Sequence, residues 1–289
     1  MTGRSDPASS GPTSLTARFP LNQGPGIPCL GLGVFQSEPG PTTRHAVEWA
    51  LEEGYRHVDT AAMYGNESDV GEAVRASKLP RDDVFVTTKL WHTEHGFESA
   101  QAACRKSLDK LGLGHIDLYL IHWPRANSPD ARLASWDALV RLHEEGVCRA
   151  IGVSNYTVRH LEELRAHSGV TPAVNQVELH PFVFDPELYE YCGEHGIRLE
   201  AWSPLTRGRQ FDHPTIAAVA AAHHRTPAQV LIRWGLEHGI VEIPKSVHRE
   251  RIRENAGVFD FRLSADEMAS LDALRGGPRV GLWNPKEIP

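Results

Sequence analysis

Cysteine is scarce in this sequence of 289 residues, and long apolar runs are missing from it. The four cysteines include no CxxC pair and fall in strand-like or helix-like stretches, so we expect reduced thiols at Cys29, Cys104, Cys148 and Cys192. No apolar run approaches the ~20 residues of a transmembrane helix, and the first residues lack the charged and apolar blocks of a secretory signal. These absences predict a cytoplasmic protein without membrane association.

Several motifs of common functional sites are absent as well. The run from Gly31 to Gln36 begins like GxGxxG, but Gln36 replaces the third glycine, which excludes the Rossmann fingerprint. Around Ser154 the second glycine of GxSxG is missing, which argues against a serine hydrolase. The sixteen histidines include no HExxH and no cluster with cysteine, so we predict no metal site. The net charge of -7 argues against a general nucleic-acid surface.

The chain does contain a regular alternation of strand-like and helix-like segments. Residues 1–14 are rich in Ser, Pro, Gly and Thr and predict a flexible tail, and residues 15–19 with 27–30 predict a hairpin. From there onward eight strand-like runs, the first near Leu30, alternate with amphipathic helices. Four of the helices end in a glycine that an apolar run follows at once: Gly54, Gly146, Gly196 and Gly239.

This alternation predicts a single domain over residues 15–289, an α/β fold of the (β/α)8 TIM-barrel type with an N-terminal β-hairpin and two additional helices. The stretch between Trp202 and Ile240 holds two helical patterns, one more than the repeat requires. A doubly wound sheet is the alternative fold. It would need a phosphate-binding loop at its switch point, and no such loop is found.

Three neighbouring strands of the predicted barrel end in ionisable residues. Asp59 ends the second strand and Tyr64 follows on its loop, whereas Lys89 ends the third strand and His122 the fourth. The C-terminal ends of barrel strands meet at one mouth, where these four side chains form a proton-transfer site. Each residue alone is equally typical of packing, as a half-buried tyrosine, a surface lysine or a core histidine with its hydrogen bonds satisfied.

Longer motifs extend this pattern along the chain. They are Gly54-Tyr55-Arg56-His57-Val58-Asp59-Thr60-Ala61 with Tyr64-Gly65-Asn66-Glu67, Lys89-Leu90-Trp91, Ile121-His122-Trp123-Pro124, Ile151-Gly152-Val153-Ser154-Asn155-Tyr156, and Ile243-Pro244-Lys245-Ser246-Val247 with Arg251 and Asn255. In this order they resemble the signatures of the aldo-keto reductase superfamily, and most closely its bacterial branch with the 2,5-diketo-D-gluconate reductases. The similarity extends from about residue 15 to the C-terminus.

The resemblance implies an NADPH-dependent oxidoreductase that reduces aldehydes and ketones to alcohols, with small dicarbonyls, keto-sugars and methylglyoxal-like compounds as substrates. Tyr64 would donate the proton. Lys89, held by Asp59, would lower the pKa of the Tyr64 phenol. His122 would orient the substrate carbonyl as a neutral imidazole. The alternatives are a barrel that binds NADPH in a regulatory or structural role, and an aldolase-like barrel with Lys89 as a Schiff-base lysine.

The resemblance also implies contacts with the cofactor. The nicotinamide carboxamide would be bonded by Ser154, Asn155 and Gln176, and the ring would be stacked on by Trp202. The pyrophosphate would be followed by Ser203, Pro204 and Leu205. The 2'-phosphate would be clamped by Lys245, Ser246 and Arg251, which share one motif with Val247 and Asn255. We therefore expect NADPH to be preferred to NADH. Three residues depart from the family pattern: Trp202 replaces the more common tyrosine, Thr206 stands where glycine is usual, and His248 lies within the clamp.

Aromatic residues are expected to line the substrate pocket, because aromatic walls exclude water and favour compact carbonyl compounds. The candidates are Phe35, Trp91, Trp123, Phe182 and Trp283. By analogy with the family, we expect a monomer that acts on a small molecule and binds no nucleic acid.

Overall fold

A computed structural model describes residues 11–289. Its main sheet consists of eight parallel strands in chain order. Two further short strands, β1 (Arg18–Phe19) and β2 (Ile27–Pro28), pair antiparallel as a hairpin. The strands of the main sheet are β3 (Leu32–Gly33), β4 (His57–Asp59), β5 (Phe85–Leu90), β6 (Ile116–Ile121), β7 (Cys148–Ser154), β8 (Val174–Glu178), β9 (Arg198–Trp202) and β10 (Val241–Glu242).

The first and last strands meet, which closes the sheet into a barrel. Leu30 forms a parallel bridge with Glu242, and Gly33 forms one with Lys245. The Gly31 N–H donates to the Glu242 carbonyl at 2.8 Å across this seam. The predicted (β/α)8 barrel is confirmed. The run 27–30, which the sequence predicted as one strand, is divided between the hairpin and the seam.

Within residues 11–289, ten α-helices surround the barrel. Eight of them follow the eight strands, and α7 (Pro214–His223) and α10 (Ala265–Asp272) are the two additional helices. The glycines predicted to end helices at positions 54, 146, 196 and 239 have φ of +98°, +73°, +67° and +71°, in the left-handed region. The helices are α1 (Pro41–Glu52), α2 (Glu67–Ala76), α3 (Phe97–Leu111), α4 (Pro129–Glu144), α5 (Val158–Ser168), α6 (Pro186–Glu194), α7 (Pro214–His223), α8 (Pro227–Glu237), α9 (Arg249–Ala256) and α10 (Ala265–Asp272).

Side chains alternate between the interior of the barrel and the layer beneath the helices. The lower interior is apolar and contains Phe85, Leu118, Leu120, Ala150, Val174 and Val241. Because the side-chain period of a strand is two, residues of the same parity further along these strands also point inward. Polar residues near the C-terminal ends of the strands are therefore carried into the mouth of the barrel.

The first of the described residues contact the outside of the barrel. The Arg233 guanidinium donates to the Pro12 carbonyl at 3.0 Å, and Arg262 donates to the Gly11 carbonyl at 3.4 Å. Gly11 and Pro12 belong to the stretch that was expected to be a flexible tail. The other residues of that stretch that carry the expectation, 1–10, lie outside the described residues.

We predict that the close approach of α2 and α3 tolerates only glycine at position 71. A Cβ on Gly71 would lie 1.9 Å from the Leu111 carbonyl oxygen. Gly71→Ala should therefore lower the free energy of unfolding by about 3 kcal/mol, measured by urea denaturation. Gly193→Ala is the matched control, since a Cβ there meets nothing within 4 Å. It should stabilise the protein by ~0.5 kcal/mol. Equal effects of the two changes would contradict the steric explanation.

Candidate active site

A buried lysine is the centre of the polar cluster at the mouth of the barrel. Lys89 Nζ donates to Asp59 Oδ1 at 2.6 Å, to the Thr60 carbonyl at 2.9 Å and to Tyr64 Oη at 3.4 Å. Lys89 is 0% exposed and Asp59 is 2% exposed. The short 3-10 helix Ala62–Tyr64 follows β4 and places the phenol over the end of β5. Asp59, Tyr64 and Lys89 are thus brought together.

The charges of the lysine and the aspartate stabilise each other. Burial acts to lower the pKa of Lys89, but the neighbouring Asp59 carboxylate outweighs it and the pKa lies above its usual value. Burial raises the pKa of Asp59, and the Lys89 cation opposes that shift. A charge-assisted hydrogen bond this short favours the ionised form of both partners.

The pKa of Tyr64 does not follow the sequence prediction. Burial raises the pKa of this phenol to about 12, and the Lys89 cation only partly opposes the rise. Lys89 acts in the predicted direction, but the net pKa lies above its usual value, because desolvation of the phenolate is the larger effect. The phenol is consequently protonated at neutral pH.

His122 directly follows β6 and lies beside the Tyr64 phenol. Its ring meets that of Tyr64 edge-on at 5.7 Å and that of Trp91 at 5.2 Å. Burial, with the Lys89 and His92 charges adding to it, holds the pKa of His122 well below its usual value. The imidazole is therefore neutral at pH 7, the form that the sequence predicted.

A large open cavity of about 790 Å³ covers this cluster and extends along the C-terminal ends of β8, β9 and β10. The predicted residues among those that line it are Phe35, Asp59, Tyr64, Trp91, His122, Trp123, Asn155, Gln176, Trp202, Ser203, Pro204, Leu205, Lys245, Ser246, Val247, Arg251, Asn255 and Trp283. Lys89 lies below the floor of the cavity, and Ser154 is buried beside it. One cavity thus brings together most of the residues predicted for cofactor and substrate.

A hydrogen-bonded chain connects the predicted nicotinamide residues to His122. The Trp202 indole N–H donates to Asn155 Oδ1 at 2.9 Å, and Asn155 Nδ2 donates to the His122 carbonyl at 2.9 Å. The Ser154 hydroxyl donates to the backbone carbonyl of Gln176 at 2.7 Å. Asn155 has φ of +64°, a left-handed conformation that asparagine tolerates better than most residues. The amide of Asn155 is therefore largely occupied by protein partners.

The far end of the cavity is cationic. Lys245 and Arg251 are exposed there, and neither forms an ion pair with any residue between 11 and 289. Ser246 is buried, and its Oγ accepts from the His248 N–H at 3.1 Å, so His248 helps to shape the turn. In the neighbouring loop Thr206 has φ of +53°, the left-handed conformation that explains why glycine is usual at this position.

The opposite side of the cavity is aromatic. Trp283 stacks near Trp91 with ring centres 6.2 Å apart and meets Trp123 edge-on at 5.1 Å, and Phe35 lies 5.0 Å from the Tyr64 ring. Phe182 is a correction to the predicted pocket. It does not line the cavity, and a Cβ on Gly277 would lie 2.6 Å from its ring, so it packs beneath the C-terminal segment.

Sequence comparison assigns this arrangement to a known family. A model of the Aldo/keto reductase family matches residues 29–275. The chain belongs to this family.

Individual relatives agree with the assignment to the aldo/keto reductases. Glyoxal reductase of Bacillus subtilis is 46% identical over 277 residues, which cover 96% of this chain and 99% of the relative. The structure of an aldo/keto reductase from Brucella melitensis has 44% identity and a TM-score of 0.85, covering 92% of this chain and 100% of that chain. A Bombyx mori aldo-keto reductase, solved in complex with NADP, has 35% identity and a TM-score of 0.86, covering 94% and 97%.

The described part of this aldo/keto reductase lacks two kinds of feature. Residues 11–289 contain no group of three or more His, Cys, Asp and Glu side chains arranged to hold a metal ion. Within the same range no helix is long and apolar enough to cross a membrane.

Glu178 is a site residue that the motifs did not reveal. It ends β8, and its carboxylate accepts from the backbone N–H groups of Val280 and Gly281 and from Arg279 at 3.3 Å. These contacts hold the C-terminal segment, residues 277–289, that brings Trp283 to the cavity. An acid at the end of a strand carries no sequence signal for a partner a hundred residues away. Glu178 itself does not line the cavity. The lining residues that the sequence missed were Gly33, Gln36, Met63, Arg207, Gly208, Phe211, Ala228, Ile243, Glu254, Gly281 and Leu282.

We predict that Glu178→Gln loosens the C-terminal segment of this aldo/keto reductase. The amide has one acceptor oxygen and no charge, whereas two backbone N–H groups and Arg279 need partners. Hydrogen exchange in peptides covering Val280 and Gly281 should become about tenfold faster. Glu187→Gln, an exposed acid on α6, is the matched control and should leave this exchange unchanged. Equal protection in wild type and Glu178→Gln would contradict the anchoring role.

Proposed function

We propose that this protein reduces aldehydes and ketones to alcohols with NADPH as the hydride donor. The observation that carries the proposal is the contact of Lys89 Nζ with Asp59 Oδ1 at 2.6 Å and with Tyr64 Oη at 3.4 Å, on the floor of a large cavity. Compact dicarbonyls, keto-sugars and methylglyoxal-like compounds suit its aromatic wall. The Bacillus relative is a glyoxal reductase, which supports a small dicarbonyl substrate.

The cavity fits NADPH in charge and in shape. Lys245 and Arg251, free of ion pairs within residues 11–289, offer two cations to a dianionic 2'-phosphate. Trp202 offers an indole face in the cavity wall, between these cations and the phenol of Tyr64. The Bombyx mori structure in complex with NADP supports the same cofactor.

Carbonyl reduction requires a hydride at carbon and a proton at oxygen. Bound NADPH supplies the hydride, and Tyr64 Oη is the proton donor. Its pKa of about 12 keeps the phenol protonated at neutral pH, as a general acid must be. When the proton leaves, the phenolate forms beside the Lys89 ammonium, which stabilises it. Neutral His122 orients the carbonyl oxygen by a hydrogen bond without adding a charge.

The sequence leaves two other functions open, an aldolase-like barrel and a regulatory or structural barrel. A Schiff-base lysine must be neutral and accessible, but Lys89 is fully buried and charged beside Asp59, which disfavours the aldolase-like alternative. A barrel that binds NADPH in a regulatory or structural role remains the second candidate. The two candidates differ in whether the phenol of Tyr64 is needed for turnover.

We predict that Tyr64→Phe separates catalysis from cofactor binding. Removing the hydroxyl removes the proton donor, so kcat for methylglyoxal and related carbonyls should fall by at least ~100-fold, followed as NADPH oxidation. The Kd for NADPH should stay within about twofold, because the ring is retained. Tyr189→Phe is the control, since Tyr189 Oη donates to the His238 carbonyl outside the cavity. Full turnover by Tyr64→Phe would exclude the mechanism, and no turnover by wild type would favour the regulatory role.

We also predict a preference for NADPH over NADH. Arg251→Ala and Lys245→Ala should each lower kcat/KM for NADPH by about tenfold and leave that for NADH nearly unchanged, because only NADPH carries the 2'-phosphate. Arg253→Ala, an exposed arginine on the same helix that does not line the cavity, is the matched control. Equal kcat/KM values for the two cofactors in wild type would refute the clamp.

We also propose a setting for the enzyme. The four cysteines are all free and buried, which suits a reducing compartment, and we propose the cytoplasm. We further propose a monomer with a single barrel domain over residues 15–289. The net charge of -7 is unfavourable for nucleic-acid binding.

A further inference from the structure

The amide of Gln176 is held by two carboxyl groups. Its Nε2 donates to Asp59 Oδ2 at 2.7 Å and to Glu200 Oε2 at 3.0 Å. Both hydrogens of the amide nitrogen are thereby used. The reverse orientation would place the amide oxygen against the Asp59 carboxylate, which only accepts hydrogen bonds, so the chemistry of the partners settles which end faces down. The amide oxygen is then the free end, in a residue that lines the cavity.

Glu200 is a buried acid for which the proposed proton transfer has no use. It lies on β9 inside the barrel, is 0% exposed and does not line the cavity. Its other carboxyl oxygen has no hydrogen-bond partner among the described residues, and His57 Nε2 lies 3.6 Å from it. Burial, with the Asp59 charge adding to it, raises the pKa of Glu200 to about 8. Neutral at pH 7, it still offers a carbonyl oxygen to Gln176.

We infer that Glu200 is a positioning residue: it fixes the Gln176 amide so that its oxygen faces the cavity and accepts an N–H of the nicotinamide carboxamide. The inference rests on the proposed function. It assigns to Gln176 the role of acceptor, which Asn155 fills poorly because its Oδ1 already accepts from the Trp202 indole. Without Glu200 one amide hydrogen lacks a partner, and the amide can pivot about its remaining bond to Asp59, which moves its oxygen away from the carboxamide.

The inference makes the two ends of the carboxamide distinguishable by cofactor analogues. In the 3-acetylpyridine analogue of NADP⁺ a methyl group replaces the amide nitrogen, so the bond to Gln176 is lost while the carbonyl remains. The Kd of NADP⁺ and of this analogue can each be measured by quenching of tryptophan fluorescence, without turnover. The ratio of the two Kd values reports on the amide oxygen of Gln176 alone and is insensitive to a uniform loss of binding.

Wild type should bind the analogue about tenfold more weakly than NADP⁺, as expected for one lost hydrogen bond. Glu200→Met removes the acceptor at similar volume, and the ratio should shrink to about twofold or less. Glu200→Gln keeps an oxygen that can accept from Gln176 and should restore the wild-type ratio. If Glu200→Met does not fold, Glu200→Thr, which is too short to reach Gln176, provides the same measurement.

Glu242→Gln is the matched control. Glu242 is a buried acid on the adjacent strand, but its carboxyl group lies against Gly235 of α8 and makes no contact with Gln176, so the ratio should stay at the wild-type value. An unchanged ratio in both Glu200→Met and Glu200→Thr, or a wild-type ratio near one, would overturn the inference. Wild-type protein that does not bind NADP⁺ at all would instead refute the proposed function.

Discussion

A lysine ammonium buried inside a barrel must be neutralised, and this requirement organises the site. Lys89 is 0% exposed and meets it through Asp59 at 2.6 Å. An unpaired charge at this depth would shift its pKa and become neutral. The second oxygen of Asp59 then holds Gln176, and the third bond of Lys89 reaches Tyr64. The phenol, the acid and the amide are thus placed by one ion pair.

The same pair limits how many other charges the interior can hold. Burial, reinforced by the Lys89 cation, lowers the pKa of His57 to about 3, and burial, reinforced by the Asp59 charge, raises the pKa of Glu200 to about 8. Lys89 and Asp59 are therefore the charged members of this cluster at pH 7. Burial of the phenol, with the Asp59 charge adding to it, also raises the pKa of Tyr64 to about 12 although a lysine lies beside it. The arrangement favours a proton donor until a reaction creates the phenolate.

The sequence predicted the barrel and the position of its chemistry for a definite physical reason. Strand ends converge in a barrel, so Asp59, Lys89 and His122 could be assigned to one mouth from strand order alone. Effects that depend on depth were not accessible in this way: the raised pKa of Tyr64 follows from desolvation, which a sequence does not display. Contacts between distant segments were missed because a sequence does not display them either. Phe182 was placed in the pocket because it is aromatic, but it packs under residues near Gly277.

Chemistry and the shape of the substrate pocket depend on different anchors. The proton-transfer residues are fixed from within the barrel by Lys89, whereas Trp283 is carried on a segment that Glu178 holds from the rim. Leu282, next to Trp283, is 95% exposed and lines the cavity, so this part of the segment contributes surface to the cavity. Changes in the segment can therefore alter the aromatic wall while the ion pair stays intact. In the proposed function, this separation allows one catalytic floor to serve differently shaped carbonyl compounds.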